Sequence, residues 1–328
     1  MTLLRIAELC AGTGGFALGI QQACPTAHVV YANDFSPASK IIYDANFNDV
    51  KSLPSTGAPL RGALDDTDIF DINISDIPAH DILTAGFPCQ PFSVAGKRQG
   101  FDDARSNVFW KILEILKYHT PPIAILENVK NLSTHDNGNT FRTIVSELEG
   151  VGYTVSSTVL NTSAFLPQNR ERIYIVCVRG GTPEFKIPIP TSNSTSLASV
   201  LESDVADKYY YTDKLKVWET VRDAVIKENT VYQYRRVYVR ENKNGVCPTL
   251  TANMGQGGHN VPLIKDRKGI RKLTPRECFN LQGFPQDYIL PTNLKDTDLY
   301  KLAGNAISVP IVKYVMGQIL RIKVLGIK

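Results

Sequence analysis

Short apolar runs alternate with amphipathic segments over the first 180 residues of the chain. Six runs rich in β-branched residues have the length and composition of strands: residues 3–9, 29–33, 81–85, 123–127, 154–160 and 172–178. Between the third and fourth runs, Phe109, Ile112, Leu113 and Leu116 recur at helical spacing and predict a core-facing stripe. Strands that alternate with helices indicate an α/β fold with a mostly parallel sheet.

The pattern changes after Arg179, where GGTPEFKIPIPTSNSTS has the composition of a linker. We therefore place a domain boundary near residues 185 to 195. The region beyond it interleaves aromatic and basic residues and contains the glycine-rich loop 254–260, and helical patterning returns at 274–282 and from Asn305 to the C-terminus. These features predict a larger domain, residues 1–187 and 304–328, and a smaller, irregular domain, residues 188–303.

Composition excludes several classes of protein. A chain of 328 residues with 43% hydrophobic residues can bury a large core. No run approaches the roughly 20 apolar residues of a membrane span, and the first eight residues lack the features of a signal peptide, so we expect a cytoplasmic protein. The six cysteines include no CxxC pair, so we predict no zinc or redox motif and no bound metal.

Positive charge is concentrated in one segment. Residues 231–272 contain nine Lys or Arg and two acids, a net charge of +7, whereas the whole chain carries only +4. Such a local excess is typical of a phosphate-binding surface, although a solvated face of an ordinary domain would have the same composition.

The segment LCAGTGGF follows the first predicted strand. Gly12 and Gly14 let a ligand approach the main chain at the carboxyl end of the strand, and a helix could start near Phe16. The second strand ends in Asp34 and Phe35, about 20 residues later, where an acid can bind ribose hydroxyls and a ring can cover an adenine. The pattern favours an adenosine-containing cofactor; a plain glycine turn and a capping acid are the alternatives.

Cys89 lies in GFPCQPFS, directly after the third predicted strand. Pro88 fixes its own φ and Pro91 biases Gln90 away from helix, so the cysteine is held in an extended loop at the edge of the sheet. A structural cysteine more often lies inside a strand or helix. This position favours a nucleophilic thiol over a buried one.

Charged side chains follow two further strands. Glu127 ends the fourth predicted strand, where burial could keep it protonated as a proton donor; a carboxylate that caps the next segment is the alternative. Gln168, Arg170 and Arg172 alternate before the last strand, and the strand period of two predicts that they share one face. Two guanidiniums and an amide are costly to bury without polar partners, which favours a site.

Six motifs occur in the order found in one enzyme family. They are AGTGGF (11–16), GFPCQPFS (86–93), ENV (127–129), QNRER (168–172), RKLTPRECFNLQGFP (271–285) and LAGNAISVP (302–310). Together they resemble the DNA (cytosine-5)-methyltransferases of bacterial restriction-modification systems. The resemblance covers nearly the whole chain except roughly residues 188–245. It implies a Rossmann-like domain with a mixed, mostly parallel sheet that binds S-adenosyl-L-methionine (AdoMet), and a smaller target recognition domain.

The resemblance implies covalent catalysis. The Cys89 thiolate adds to C6 of cytosine, Glu127 hydrogen-bonds or protonates N3, and the resulting enamine takes the methyl group of AdoMet at C5. Arg170 and Arg172 would hold the base. The resemblance also implies a set of cofactor contacts, which are Gly12, Gly14, Phe16, Asp34, Phe35, Asp68, Ile69, Pro88 and Asn305.

Double-stranded DNA is the partner that the resemblance implies. The target base must leave the duplex to reach Cys89, at a cost of a few kcal/mol. Residues of the loop after Cys89, of the QNRER motif and of the smaller domain are then expected to contact DNA: Ser93, Lys97, Arg98, Arg105, Gln168, Arg235, Arg236, Arg240, Thr249, Thr251, Asn253, Gly257 and Gly258.

Two alternatives use the same fold. One is an RNA cytosine-5 methyltransferase, and the other is a non-catalytic AdoMet-fold module that binds DNA. The basic segment of the smaller domain favours DNA, and the presence of Cys89, Glu127, Arg170 and Arg172 favours catalysis. We further expect a monomer that acts independently of a cognate restriction endonuclease of the same specificity.

Overall fold

The computed structural model describes residues 3–47, 63–88, 108–181, 185–191, 195–257 and 259–321. The chain forms two compact units. The first consists of Met1–Leu160, Glu171–Ile189 and Ile311–Lys328, and the second of Asn161–Arg170 and Pro190–Pro310. The strands and longer helices are, in chain order, β1 (Leu4–Leu9), α1 (Gly15–Ala23), β2 (Ala27–Asn33), α2 (Pro37–Phe47), β3 (Ile82–Gly86), α3 (Val108–His119), β4 (Ile123–Val129), α4 (Asn139–Gly150), β5 (Tyr153–Asn161), β6 (Glu171–Arg179), α5 (Trp218–Ala224), β7 (Val231–Arg235), β8 (Tyr238–Asn242), β9 (Leu263–Lys265), β10 (Ile270–Lys272), α6 (Pro275–Leu281), α7 (Asp296–Asn305) and α8 (Val309–Leu320).

The first unit is built on a six-stranded sheet in the order β2-β1-β3-β4-β6-β5. β1 pairs in parallel with β2 and β3, β3 pairs in parallel with β4, and β4 pairs antiparallel with β6. The sheet is thus mixed and mostly parallel, as predicted. All six predicted strands are present, with ends displaced by one or two residues.

The middle strands are buried along nearly their whole length. In β4 the first six residues are buried, and in β3 the first four. The sequence of a parallel strand covered on both faces is a continuous apolar run, because the side chains on both faces are shielded from water. The stripe on α3 packs into the same core as predicted, with Phe109, Ile112 and Leu116 fully buried.

The second unit contains a smaller sheet in the order β10-β9-β7-β8, in which every described pair of strands is antiparallel. An apolar cluster that includes Tyr211, Val221, Tyr232 and Leu263 packs on it. α6 begins with a capping box, in which the Thr274 hydroxyl accepts from the main-chain N–H of Glu277 and the Glu277 carboxylate accepts from that of Thr274.

A buried ion pair stabilises the start of α6. The guanidinium of Arg271 donates to both carboxylate oxygens of Glu277, at 2.7 and 2.8 Å, and the two side chains are 1% and 0% exposed. Asp266 accepts from the Nε of Arg271 at 2.7 Å. These partners raise the pKa of Arg271 against the opposing effect of burial.

The boundaries of the units differ from the predicted domains. Residues 161–170 were predicted in the larger domain but belong to the second unit, because the main chain pairs there with Cys247: its N–H donates to the Pro167 carbonyl, and its carbonyl accepts from Asn169. The chain returns to the first unit at Ile311 instead of residue 304.

The C-terminal helical pattern was also predicted wrongly. A helix was expected to begin at Asn305, but α7 ends there and α8 begins at Val309. The break covers residues 306–308, and Pro310 lies in the first turn of α8, where proline is tolerated. α7 itself was missed, since its first residues are acidic and polar. Within the described ranges, no helix has the length and apolar character needed to cross a membrane.

Candidate active site

The glycine turn between β1 and α1 forms one edge of the candidate site. Cys10, Gly12 and Gly14 all have positive φ, at 51°, 54° and 71°. A Cβ at Gly14 would lie 2.2 Å from a ring carbon of Phe47 in α2, whereas at Gly12 no atom lies closer than 3.9 Å. The turn is therefore packed against α2 at Gly14 and open at Gly12, as a main chain that meets a ligand requires.

Asp34 lies at the end of β2 and holds this turn. One carboxylate oxygen accepts from the main-chain N–H of Gly12 at 2.9 Å, and the other accepts from that of Ser36 at 3.0 Å. The capping role that the sequence left open for this acid is thus present. Phe35, beside it, is 70% exposed, so its ring has a free face.

Asp68 lies near the same strand ends. Burial raises the pKa of the Cys10 thiol to about 12, and the negative charges of Asp34 and Asp68 add to the shift. The side chain of Ile69 is 5% exposed and packs in the core, so only its main chain can face a ligand. Phe16 is also buried, at 2% exposure.

Sequence reasoning missed Glu8, a fully buried acid within β1. Its carboxylate accepts from the main-chain N–H of Ala17 in α1 at 3.4 Å and from the hydroxyl of Tyr43 in α2 at 3.0 Å. The acid thereby joins both helices behind the glycine turn. A charged residue inside an apolar strand was the available signal, because such a residue requires buried partners.

Glu127 and Arg172 form an ion pair, with 3.1 Å between the Nε of Arg172 and a carboxylate oxygen of Glu127. Their side chains are 10% and 15% exposed. In the antiparallel pair of β4 and β6, Glu127 lies opposite Tyr174 and Val129 opposite Arg172. The two charges are thus diagonal neighbours on one face, within reach of long side chains. The structure brings these two predicted residues together.

Asn128 was also missed. The buried amide of Asn128 donates to the carbonyl of Phe87 at 2.9 Å. This bond fixes the main chain between the end of β3 and the exposed residue Pro88. Gly86 lies directly opposite Glu127 in the parallel pair of β3 and β4. Cys89 itself lies outside the described residues, as do Ser93, Lys97, Arg98, Arg105 and Gly258.

Gln168 and Arg170 do not share the strand face predicted for them, because β6 begins only at Glu171. The amide of Gln168 donates to the Leu281 carbonyl at 2.8 Å and accepts from the Leu250 N–H at 3.3 Å, and the side chain is fully buried. Both polar groups of the Gln168 amide are thus bonded within the second unit, and its contact with DNA stays a prediction.

Arg170 is likewise buried, at 2% exposure. Its guanidinium donates to the carbonyls of Leu250, Gly304 and Ala306 at 3.0, 3.1 and 2.9 Å. These bonds hold the guanidinium within the second unit, and the base-holding role of Arg170 stays a prediction. Asn305 lies between two of these acceptors, exposed at the end of α7.

A cleft of about 830 Å³ lies within the second unit. Five residues predicted to contact DNA belong to this region: Arg235, Arg240, Thr249 and Thr251 line the cleft, and Asn253 lines a neighbouring cavity of about 220 Å³. The Thr249 hydroxyl donates to the Asn169 carbonyl and that of Thr251 to the Asn253 side chain, both at 2.6 Å. These three polar groups are therefore engaged within the protein.

Two further predicted DNA contacts lie at turns. Arg236 is exposed between β7 and β8 and has a φ of 62°. Gly257 has a φ of 108°, and no atom lies within 4 Å of a Cβ built there. Among the described residues, no group of three or more His, Cys, Asp or Glu could hold a metal ion.

A family of known proteins matches almost the whole chain. The model of the C-5 cytosine-specific DNA methylases matches residues 4–321. The chain belongs to that family. As a C-5 cytosine-specific DNA methylase it methylates cytosine in DNA at C5, and its family is AdoMet-dependent.

Curated methylases are similar over almost the whole chain. The type II methyltransferase M.Bsp6I of Bacillus sp. (strain RFL6) is 46% identical over 319 residues, which cover 95% of this chain and 96% of the relative. M.NgoBI of Neisseria gonorrhoeae is 39% identical, with coverage of 95% and 91%, and M.HhaI of Haemophilus parahaemolyticus is 31% identical, with coverage of 96% and 94%. The family resemblance of the sequence motifs is thereby confirmed.

Solved structures of methylases share the fold. A DNMT2 variant from Spodoptera frugiperda aligns with a TM-score of 0.74 at 19% identity and covers 97% of this chain and 99% of its own. The Dnmt2 methyltransferase of S. pombe gives a TM-score of 0.74 at 21% identity, with coverage of 97% and 98%. At this identity the comparison supports the methyltransferase fold alone.

Proposed function

We propose that this methylase acts on one cytosine within a short, specific double-stranded DNA sequence, as the modifying enzyme of a restriction-modification system. The observation that carries the proposal is the position of the Glu127–Arg172 pair. Glu127 lies opposite Gly86, three residues before Cys89, so the segment that bears the thiol leaves the sheet beside the acid. Thiol, acid and guanidinium are the groups that covalent cytosine methylation requires.

The chemistry follows from these three groups. The Sγ of Cys89 forms a bond to C6, while Glu127 hydrogen-bonds or protonates N3, so that the electron pair of the C5–C6 double bond becomes available at C5. AdoMet, when bound, supplies the methyl group that C5 accepts. A base then removes the C5 proton, the double bond re-forms and Cys89 leaves as thiolate. Arg172 holds the Glu127 carboxyl group in place throughout.

The cofactor contacts remain those that the motifs predict. The open main chain at Gly12, the exposed ring of Phe35 and the nearby carboxylates of Asp34 and Asp68 fit an adenosine-bearing ligand. Gly14 and the buried Phe16 pack beneath the glycine turn. The remaining predicted contacts are the main chain of Ile69, Pro88 and Asn305. We further propose that the target cytosine is flipped out of the duplex, because Cys89 cannot reach C6 inside the stack.

We also propose the setting in which the enzyme works. Its relatives named above are type II methyltransferases of bacteria, so we place the chain in the bacterial cytoplasm, as a monomer beside a cognate endonuclease of the same specificity. Protection of host DNA against that endonuclease would be its role.

Bisulfite sequencing of plasmid from cells that express the chain tests the proposal. We expect 5-methylcytosine at one cytosine of a short recurring sequence, and none when Cys89→Ala is expressed instead. Cys24→Ala, which changes a thiol at the far end of α1, should leave the methylation pattern intact. Methylation by the Cys89→Ala variant would refute the covalent mechanism, and modification of RNA but not plasmid would favour the RNA alternative.

A further inference from the structure

The face of the β7–β8 hairpin that bears Gln233, Arg235 and Arg240 is mostly polar, whereas the opposite face is mostly apolar. Tyr232, Tyr234 and Val239 belong to the apolar cluster of the second unit. Side chains on a strand alternate between faces, so Gln233 and Arg235 on β7 and Arg240 on β8 project the other way, and all three line the 830 Å³ cleft.

Gln233 and Arg240 are direct cross-strand partners. Directly opposite residues in an antiparallel pair have Cβ atoms about 5 Å apart, so an amide and a guanidinium lie side by side in the cleft. Among the described residues, neither side chain has a hydrogen-bond or ion-pair partner. The acid that follows on β8, Glu241, is paired with Lys227 at 2.9 Å and does not neutralise the arginine.

The chemistry of this pair matches a base edge better than a phosphate. A phosphate oxygen only accepts hydrogen bonds, so the carbonyl oxygen of Gln233 would gain nothing from it. In the major groove a G·C pair presents two acceptors, N7 and O6 of guanine, and one donor, the N4 amino group of cytosine. The Arg240 guanidinium can donate to both acceptors, and the Gln233 carbonyl can accept from the donor.

We propose that Arg240 and Gln233 together recognise one G·C pair of the target sequence, outside the methylated pair. Arg240 donates to O6 and N7 of the guanine, and Gln233 accepts from N4 of the paired cytosine. The assignment rests on the proposed function, namely methylation of a specific duplex sequence. Arg236, exposed at the hairpin turn and absent from the cleft lining, contacts phosphate instead.

The test is a duplex library randomised around the target cytosine and analysed by bisulfite sequencing. The wild type should require G·C at a fixed position. Arg240→Gln should lower the preference for G·C at that position by about 5- to 150-fold, and Gln233→Leu should weaken the preference at the same position. Arg236→Gln removes the same charge, and we expect it to slow methylation of all sequences alike and to reduce the salt dependence of binding by about one phosphate contact.

Several outcomes would overturn the assignment. The wild type could methylate duplexes that lack any further G·C pair. Alternatively, Arg240→Gln could keep its preference for G·C, or lose rate equally on all sequences as Arg236→Gln does. If Arg240→Gln methylates nothing, selection of the same library by binding decides: a lost preference in the bound fraction supports the proposal, and a retained one refutes it. Absence of 5-methylcytosine with wild type in every duplex refutes the proposed function itself, before any variant is compared.

Discussion

Arg170→Lys keeps the positive charge of a buried side chain but removes most of its hydrogen bonds. The guanidinium donates to three carbonyl oxygens at 2.9 to 3.1 Å. A lysine ammonium is a compact group without the planar fork of arginine, so we expect it to retain one of these bonds. Charged hydrogen bonds contribute about 1.5 to 3 kcal/mol each, so the loss of two lowers the free energy of unfolding by about 3 to 6 kcal/mol.

Urea unfolding followed by intrinsic fluorescence measures this loss. With a slope of about 3 kcal/mol per M, the midpoint should fall by about 1 to 2 M. Arg240→Lys is the matched control, because Arg240 belongs to the same unit and is exposed; its midpoint should shift by less than about 0.2 M, since exposed substitutions cost about 0.5 kcal/mol or less. An Arg170→Lys variant of wild-type stability but much lower kcat would refute the structural role and favour the base-holding role predicted from sequence.

Three further predictions follow from the first unit. Glu127→Gln should lower kcat by about 10²- to 10⁴-fold without weakening AdoMet binding in calorimetry, whereas Glu171→Gln, an exposed carboxylate on the neighbouring strand, should change kcat little. Gly14→Ala places a Cβ 2.2 Å from a ring carbon of Phe47 in α2, so it should lower the free energy of unfolding by about 1 to 3 kcal/mol and weaken AdoMet binding. Gly180→Ala is the control, because Gly180 also has a positive φ but no atom lies within 4 Å of the added Cβ. It should cost about 1 kcal/mol and leave the affinity for AdoMet unchanged. Burial lowers the pKa of His80 from 6.5 to about 4 in the folded protein. Because the unfolded chain binds this proton more readily, protonation of His80 favours unfolding. The free energy of unfolding is therefore unaffected by His80 above about pH 6.5 and falls towards pH 4 by up to about 1.4 kcal/mol per pH unit. Urea titrations between pH 6.5 and 4 should show a smaller decrease in the free energy of unfolding for His80→Gln than for the wild type. An equal dependence on pH in both proteins would contradict the lowered pKa of His80.

The first unit was predictable because its signals are local. Buried parallel strands have apolar runs as their sequence, and an acid that follows such a run, as Glu127 does, must lie near the carboxyl end of its strand. Glu8 shows the limit of this reasoning. Its charge inside β1 was visible in the sequence, but Tyr43, which hydrogen-bonds to it, lies 35 residues away and no periodicity connects the two.

The errors arose where distant contacts override local pattern. The period of two in QNRER predicted a strand, but Gln168 and Arg170 precede β6 and bond to main-chain groups 80 to 136 residues later in the chain. The same contacts explain why residues 161–170 join the second unit. Arg172 contacts the acid motif through the diagonal register of β4 and β6, which no local pattern shows, and its role at the base stays a prediction.

The partners of Arg170 bear on how methylases of this kind can acquire new specificities. All three acceptors are main-chain carbonyls, and every amino acid presents one at its position in the chain. Substitutions among the side chains of the second unit therefore leave the partners of Arg170 in place, provided that the path of the backbone is kept. Gln233 and Arg240 can therefore be exchanged without altering the three carbonyl groups that accept from Arg170. An exchange of base preference can thus proceed by point mutation without a compensating change at position 170.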